Sequence, residues 1–238
     1  MDNIYEPEFV KKLFNQMSSS YERMNYITSF GFSIRWRKQF IDKLGNSNEK
    51  LNVIDLLSGL GENWTLLKRN FPNSNFYALD FSENMINQSK QKANKIFDKN
   101  LYLICDNLLD NKLESNSFDI VSCAYGLKTF NEEQLNIIAK EVHRILKLNG
   151  KFSFVEVSKP KNKVLLFFYS FYLGKIIPIL GKIFLGNPED YKMLWIYTNK
   201  FQSSENIKNI FEKHGLEVKI DKYFGGCASG LNGKKINK

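Results

Sequence analysis

A glycine-containing turn is the part of this sequence best suited to binding a charged small molecule. It covers residues 55–62, Asp-Leu-Leu-Ser-Gly-Leu-Gly-Glu, and follows an apolar run of strand length. Glycine allows a positive φ and a close approach of ligand to backbone, and free N–H groups at a helix start attract a carboxylate or phosphate. We expect that helix to begin near Glu62. A GxG turn alone fits many nucleotide sites.

Acidic residues close the next two apolar runs. Asp80 follows the turn by about twenty residues, where a carboxylate can accept hydrogen bonds from both hydroxyls of an adenine ribose. Asp106 and Asn107 close the third run, where they can receive an adenine amino group. Because an open α/β sheet binds ligands at its carboxyl edge, these residues and Asp55 together predict a nucleotide site. Each acid alone could instead cap a turn or a helix.

The turn does not match the dinucleotide fingerprint. GxGxxG requires a third glycine, and Trp64 stands at that position. Its ring would obstruct close helix packing, which counts against NAD as the cofactor.

The elements that position these residues alternate along the chain. Short apolar runs alternate with helical stretches from about Leu51: LNVIDLL, NFYALD, LYLIC, FDIVSCA, KFSFVEVS and LEVKI. This pattern predicts an α/β fold with a parallel sheet between two layers of helices. Ser82 and Asn131 are predicted N-caps, and the helix after Asn131 is expected to stop at Asn149 and Gly150. The first fifty residues are predicted to be helical and the tail from Gly230 to be frayed.

Composition indicates one globular domain over residues 1–238. Hydrophobic residues make up 43% of the chain and charged residues 25%, too apolar for a disordered chain and too charged for a multispanning membrane protein. The net charge of +9 suits an anionic partner such as nucleic acid, a phospholipid surface or a charged small molecule. Three widely spaced cysteines and an acidic N-terminus without a signal-peptide pattern predict a cytoplasmic location.

The segment Val164–Gly186 is the most apolar part of the chain. Lys175, Lys182 and Pro178 interrupt it, so the uninterrupted run is about half of what a spanning helix needs. Between Lys159 and Lys200 there are seven lysines and two acids, a net charge of +5. We therefore expect residues 159–200 to line a lipid pocket and to contact an anionic membrane surface peripherally, the alternative being a buried helix pair with solvated lysines.

Several blocks resemble a known family. They are SYERMNYITSFGFSIRWRK, VIDLLSGLGE, ALDFSENMI, SFDIVSCAYGLKTF, EVHRILKLNGKFSFVEVSKP, YSFYLGKIIPILGKIFLGNPEDYKML and the pair Gly225-Gly226. Together they resemble class I S-adenosylmethionine (SAM) methyltransferases, and more narrowly the ubiquinone/menaquinone biosynthesis C-methyltransferase family. The resemblance implies a Rossmann-like, seven-stranded, mostly parallel sheet with helices on both faces. It also implies four segments: a helical cap (1–50), a SAM-binding core (51–158), an apolar lid inserted after strand 5 (159–201), and a C-terminal helix with strands (202–238).

The resemblance implies SAM as cofactor, S-adenosylhomocysteine as product and no metal. The implied cofactor contacts are Asp55, Ser58, Gly59, Leu60, Gly61, Asp80, Phe81, Asp106, Asn107 and Ala124. Leu60 replaces the family's usual threonine, which removes a hydroxyl contact but leaves the backbone contact. Ala124 replaces a usual serine, and Lys128-Thr129 replaces a usual Arg-Asn pair.

The implied reaction is an in-line attack of a quinol ring carbon on the sulfonium methyl. A cation near the developing phenolate would help, and Lys128 is the predicted one. Tyr21 is predicted to orient a substrate oxygen, and Glu156 to face the substrate. Core packing for Tyr21 and loop anchoring for Glu156 are the alternatives.

The expected partner is a lipophilic quinol, either a demethylmenaquinol or a ubiquinol precursor, and a homodimer is expected as well. Nucleic acid is not expected, because CAYGLK lacks the Asn/Asp-Pro-Pro-aromatic and Pro-Cys motifs of base methyltransferases. A SAM-binding protein without activity, and a C- or O-methyltransferase of a specialised aromatic or lipid-like metabolite, remain alternatives.

Overall fold

One mixed sheet forms the centre of the protein in the computed structural model, which describes residues 4–98, 100–183 and 188–237. The strands are β1 (Asn52–Leu56), β2 (Asn75–Asp80), β3 (Leu101–Cys105), β4 (Phe118–Ala124), β5 (Leu146–Val157), β6 (Leu216–Tyr223) and β7 (Ala228–Lys235). Their order in the 7-stranded sheet is β3-β2-β1-β4-β5-β7-β6. The first five strands are parallel, and β7 is antiparallel to β5 and to β6. The predicted Rossmann-like fold with a mostly parallel sheet is confirmed.

Helices cover both faces of the sheet. The α-helices are α1 (Pro7–Met17), α2 (Tyr21–Thr28), α3 (Phe32–Asp42), α4 (Trp64–Asn70), α5 (Glu83–Phe97), α6 (Glu132–Ile145), α7 (Lys163–Phe171), α8 (Ile177–Ile183), α9 (Pro188–Phe201) and α10 (Lys208–Lys213). A π-helical turn, Tyr172–Ile176, joins α7 to α8. The first fifty residues are largely helical, as predicted. The helix after the glycine turn begins at Trp64, two residues after the predicted start at Glu62.

Two apolar clusters hold the helices on the sheet. On one face Ile138 and Val142 of α6 pack with Phe211 of α10, and on the other Phe40 of α3 packs with Trp64 of α4. All five side chains are at most 1% exposed. Burial on this scale fixes the sheet between the helix layers and so fixes the carboxyl edge where β1, β2 and β4 end.

Both predicted N-caps are confirmed, but the predicted end of α6 is wrong. The Ser82 hydroxyl accepts a hydrogen bond from Met85 N–H (3.1 Å), and Asn131 forms a reciprocal capping box with Gln134. The helix α6 ends at Ile145 rather than at Asn149 and Gly150. Ile145 and Leu146 are completely buried, and the chain enters β5 directly after Ile145. The Asn-Gly pair therefore lies in that strand, where its register with β4 shifts.

The predicted frayed tail is also wrong. Residues 230–235 of that tail belong to β7, which lies inside the sheet between β5 and β6, and Lys238 lies outside the described residues. A Cβ added at Gly233 would overlap the backbone carbonyl of Glu217 on β6, and one at Gly230 would lie 2.9 Å from the Tyr223 hydroxyl. These glycines therefore serve close strand packing rather than chain flexibility.

Candidate active site

The turn after β1 is tied to the end of β2. Gly59 and Gly61 both have positive φ, and Gly59 N–H donates to the Asp80 carboxylate over 2.8 Å. Ser82 N–H donates to the other carboxylate oxygen over 2.9 Å. Burial raises the pKa of Asp80 to about 6, and these hydrogen bonds oppose the rise. The carboxylate therefore sits at the predicted nucleotide edge in a nearly dry environment.

A small cavity of about 40 Å³ lies against this turn, and we call it the cofactor cavity. Five of the predicted cofactor residues line it: Ser58, Gly59, Asp80, Phe81 and Ala124. Helix α1 covers the cavity, because its Asn15 side chain accepts a 2.6 Å hydrogen bond from the Ser82 hydroxyl. Phe14 of the same helix lines the cavity, so α1 forms part of the wall that a bound nucleoside would contact.

The other predicted cofactor residues lie around this cavity. Leu60 and Gly61 line an outer cleft on the far side of the turn. Asp106 and Asn107 lie in the turn after β3, where the Asp106 carboxylate accepts from Asn107 N–H over 2.8 Å, and neither lines the cofactor cavity. Asp55 lies buried at the end of β1, outside the cavity's lining.

Asp55 belongs to a buried polar network. One of its carboxylate oxygens accepts from the Ser122 hydroxyl (2.6 Å) and from the Asn63 amide (3.0 Å). Burial raises the pKa of Asp55 to about 7. Within the described residues, the second Asp55 oxygen, the Ser58 hydroxyl and Glu62 Oε1 are buried without a hydrogen-bond partner. Native proteins rarely leave such atoms unpaired, so a ligand with polar groups fits this site.

Arg37 of α3 is a functional candidate that the sequence analysis missed. Its guanidinium donates to the Asn63 side-chain oxygen over 2.7 Å and lies 3.5 Å from Glu62 Oε1. The guanidinium also stacks over the Tyr125 ring, 4.7 Å from its centroid. Tyr125, which was missed too, follows β4 with a φ of +63°. In the sequence, Arg37 follows Trp36 within a helical stretch, and no motif marks it as a residue of the site.

A second, apolar cavity of about 230 Å³ adjoins the first, and we call it the acceptor cavity. Helices α1 to α3 line one side of it, and the segment from α7 to α9 lines the other. Phe14, Tyr21, Tyr125 and Thr129 line both cavities. A molecule in the acceptor cavity would therefore lie one side-chain layer from a molecule in the cofactor cavity.

Lys128 is the one charged side chain among the described residues that line the acceptor cavity. Its ammonium donates to Glu156 Oε1 over 2.8 Å and to the Tyr125 carbonyl over 2.7 Å. The second Glu156 oxygen accepts from Lys128 N–H over 3.0 Å. Glu156 is completely buried and lines neither cavity, so it contacts Lys128 from behind.

Tyr21 borders both cavities, a position that suits its predicted role of orienting a substrate oxygen. Burial raises the pKa of its phenol well above the usual value, and the charge of Glu62 adds to this. The phenol is therefore neutral and can donate a hydrogen bond at physiological pH.

Comparison with known proteins decides between the classes of nucleotide-binding enzyme that this geometry allows. The model of the ubiE/COQ5 methyltransferase family matches residues 2–235. The chain belongs to this family. This family member is 31% identical over 234 residues to a demethylmenaquinone methyltransferase of Lactococcus lactis, covering 97% of this chain and 91% of the relative. It is 32% identical over 231 residues to one of Staphylococcus aureus, covering 96% and 93%.

A solved SAM-dependent methyltransferase of Thermotoga maritima has the same fold, with a TM-score of 0.64 and 17% identity over 94% of this chain and 98% of that one. Together with the family match and the two relatives, this shows that the chain is an enzyme of the SAM-dependent methyltransferase class. SAM supplies an electrophilic methyl group on a sulfonium. Its ammonium group is the kind of donor that the unpaired Glu62 oxygen lacks, and its ribose hydroxyls are donors for Asp80. The residues present therefore fit SAM.

Proposed function

We propose that this methyltransferase transfers the methyl group of SAM to a ring carbon of a prenylated quinol. Demethylmenaquinol is the first acceptor to test, because two relatives with about a third of their residues identical carry that activity in their names. One observation of the structure carries the proposal: an apolar, aromatic cavity, with Lys128 as the one cation among its described wall residues, adjoins the cofactor cavity. Such a cavity suits a flat ring with a hydrocarbon tail.

In this reaction the residues of the chain align the two reactants, stabilise the developing charge and exclude water. The quinol carbon attacks the methyl, the bond from carbon to sulfur breaks, and S-adenosylhomocysteine leaves. The ring then loses its proton, so one proton is released for each methyl transferred. Lys128 stabilises the phenolate character that develops on the quinol oxygen, and Tyr21 donates a hydrogen bond to a substrate oxygen. Water is excluded by the aromatic walls.

Glu156 acts in this proposal through Lys128 rather than on the substrate. Its two oxygens bind the ammonium and the backbone N–H of Lys128, which aims the lysine at the acceptor cavity. The ammonium makes two hydrogen bonds within the described structure, and an ammonium has three donors. One donor thus remains for the substrate oxygen. We also propose that Asp80 and two residues of the glycine-containing turn, Ser58 and Gly59, contact the bound cofactor.

The test is methyl transfer from labelled SAM into the chemically reduced lipid extract of a host that lacks its own quinone C-methyltransferase. Label is expected in menaquinone or ubiquinone, resolved by chromatography and mass. A C-methylated product re-oxidises to a quinone, whereas an O-methylated one does not. SAM binding without any labelled quinone would contradict the proposal and move the acceptor to a specialised aromatic or lipid-like metabolite.

Lys128→Met should lower the rate of methyl transfer by about 100-fold, because the developing phenolate loses its cation. Its affinity for SAM should stay unchanged, since Lys128 does not line the cofactor cavity. Removing one partner of a buried ion pair also costs stability, about 3–5 kcal/mol. The double variant Lys128→Met with Glu156→Gln leaves no uncompensated charge and serves as the folded control. Normal turnover in that variant would refute the role of Lys128.

We further propose that the enzyme is cytoplasmic and meets its acceptor at a membrane surface through α7. Four apolar side chains of this helix are exposed: Val164 68%, Phe167 68%, Phe168 63% and Phe171 55%. Phe30 and Phe224 are exposed as well and line the acceptor cavity, so the cavity reaches the surface close to α7. Exposed lysines, among them Lys163, Lys175 and Lys182, lie along the same segment. This combination suits an anionic lipid surface.

The helical stretch Lys163–Leu180 is long and apolar enough to cross a membrane by length and composition. We propose surface contact instead, because one side of it packs on the rest of the chain. Leu173 and Ile177 are buried, and the hydroxyls of Tyr169 and Tyr172 donate to the carbonyls of Cys227 and Thr28. Homodimer formation stays a prediction, to be measured by analytical ultracentrifugation.

A further inference from the structure

Arg37 is a buried cation at the wall of the cofactor cavity, and catalysis as proposed above does not use it. It is 6% exposed and lines both the cofactor cavity and the outer cleft beyond the glycine turn. Burying a guanidinium costs free energy unless it is paired and hydrogen-bonded. The burial of Arg37 therefore calls for a physical explanation.

The contacts of Arg37 within the described residues satisfy it only in part. Of its five N–H donors, one makes the 2.7 Å hydrogen bond to Asn63. The nearest approach to its ion-pair partner is 3.5 Å, from Nη2 to Glu62 Oε1, and that oxygen has no hydrogen bond. This separation is longer than the usual length of a charge-assisted hydrogen bond, about 2.8 Å, so the pair is not closed by a hydrogen bond. The two side chains instead present one positive and one negative group, both incompletely used, to the same cavity.

We propose that Arg37 binds the carboxylate of SAM and that Glu62 binds its ammonium. The methionine end of SAM is a zwitterion, and an Arg-Glu pair with unused donors and an unused acceptor is its complement. The planar guanidinium can hold a carboxylate through two parallel hydrogen bonds. This assignment deepens the cofactor part of the function above and rests on SAM, not on the identity of the acceptor.

The placement of Arg37 also suits the transfer of the methyl group. Arg37 stacks on the ring of Tyr125, which lines both cavities. Asp80 lines the same cofactor cavity and suits the ribose. Holding the ribose at Asp80 and the zwitterion at Arg37 and Glu62 fixes SAM on both sides of its sulfonium. Fixing a reactant in this way lowers the entropy cost of the transfer step.

Calorimetric titration with two ligands tests the assignment without any turnover. The first ligand is S-adenosylhomocysteine, and the second is its decarboxylated analogue, which keeps the ammonium, the thioether and the nucleoside. Arg37→Met should weaken the binding of S-adenosylhomocysteine by about 10- to 100-fold, the scale of lost charge-assisted hydrogen bonds. The same variant should bind the decarboxylated analogue about as well as the unchanged enzyme does.

Glu62→Gln supplies the matched control. It should weaken both ligands to a similar degree, because both carry the ammonium. An equal loss of the two ligands in Arg37→Met, or no loss of either, would overturn the proposal for Arg37. If Arg37→Met does not fold, the double variant Arg37→Met with Glu62→Gln removes both buried charges, and it should bind the two ligands with equal affinity. A preference for S-adenosylhomocysteine that survives in the double variant would also overturn the proposal.

These results are distinguishable from a failure of the proposed function. Absence of S-adenosylhomocysteine binding in the unchanged enzyme would contradict the cofactor itself. Normal binding without quinol methylation would contradict only the acceptor, and the assignment of Arg37 would stand.

Discussion

Asp80 lies at the end of β2, where it accepts hydrogen bonds from the N–H groups of Gly59 and Ser82. These bonds favour its ionised form, whereas burial favours the neutral form and raises its pKa to about 6. A neutral carboxyl must lose its proton before both of its oxygens can accept hydrogen bonds from a ribose. Binding of the cofactor is therefore coupled to pH at this residue.

We expect the affinity for S-adenosylhomocysteine to rise with pH through about 6 and to level off above it. Calorimetry between pH 5 and 8 checks this, because that range brackets the raised pKa of Asp80. Asp80→Ala should abolish measurable binding. Because burial raises the pKa of Asp55 to about 7, Asp55→Asn is the control, and it should keep the inflection. A flat profile in the unchanged enzyme would contradict the coupling.

Residue type and motif predicted part of the site. Asp80 could be predicted because it closes a recognisable strand, and strand ends meet at one edge. Lys128 was predicted from the family resemblance of the CAYGLK block. Arg37 could not be predicted, because its place depends on how α3 packs beside the glycine turn. The contact of Glu156 with Lys128 could not either, since strand β5 and the turn after β4 lie 28 residues apart in the chain.

At the scale of elements, α7 shows that helical spacing of apolar residues does not by itself mean a core. Tyr169 of this helix packs inward, while Val164, Phe167 and Phe171 face outward. Sequence pattern identified an apolar helix without a polar face. Only the packing of the neighbouring elements shows which side stays uncovered.

We expect α7 to bind vesicles that contain phosphatidylglycerol more tightly than vesicles of phosphatidylcholine alone. The double variant Phe167→Ser with Phe171→Ser should lower vesicle affinity by at least about tenfold, because two exposed aromatic side chains no longer enter the interface. Co-sedimentation measures it. Tyr102→Ser, which alters an exposed aromatic of β3, should bind like the unchanged protein. Equal binding of the α7 variant would refute this surface.

Element boundaries were predictable where a local side chain sets them. Ser82 and Asn131 cap helices through hydrogen bonds within three residues, so the sequence alone suffices. The end of α6 depends on the burial of Ile145 and Leu146 against distant strands. Because the end of α6 depends on tertiary packing, the prediction from Asn149 and Gly150 alone was wrong.

At the scale of the whole molecule, the last strand completes the sheet. β7 pairs with β5 over residues 151–157 and with β6 over residues 216–223, so both sheet neighbours depend on the C-terminal segment. Its sequence, ASGLNGKK, has little β propensity, which is why the sequence analysis did not identify it. The small residues of β7 instead allow its two antiparallel neighbours, β5 and β6, to pack closely against it.

Gly233→Ala should therefore destabilise the whole domain, because the added Cβ would overlap the backbone of Glu217 and force β6 and β7 apart. We expect a loss of about 2–3 kcal/mol in the free energy of unfolding, measured by urea denaturation. Gly174→Ala is the matched control, since a Cβ there meets Trp195 at an ordinary 3.5 Å. It should leave stability unchanged or slightly raised. If the two variants unfold at the same urea concentration, β7 does not pack against β6 as closely as described, and the fold depends less on its final strand.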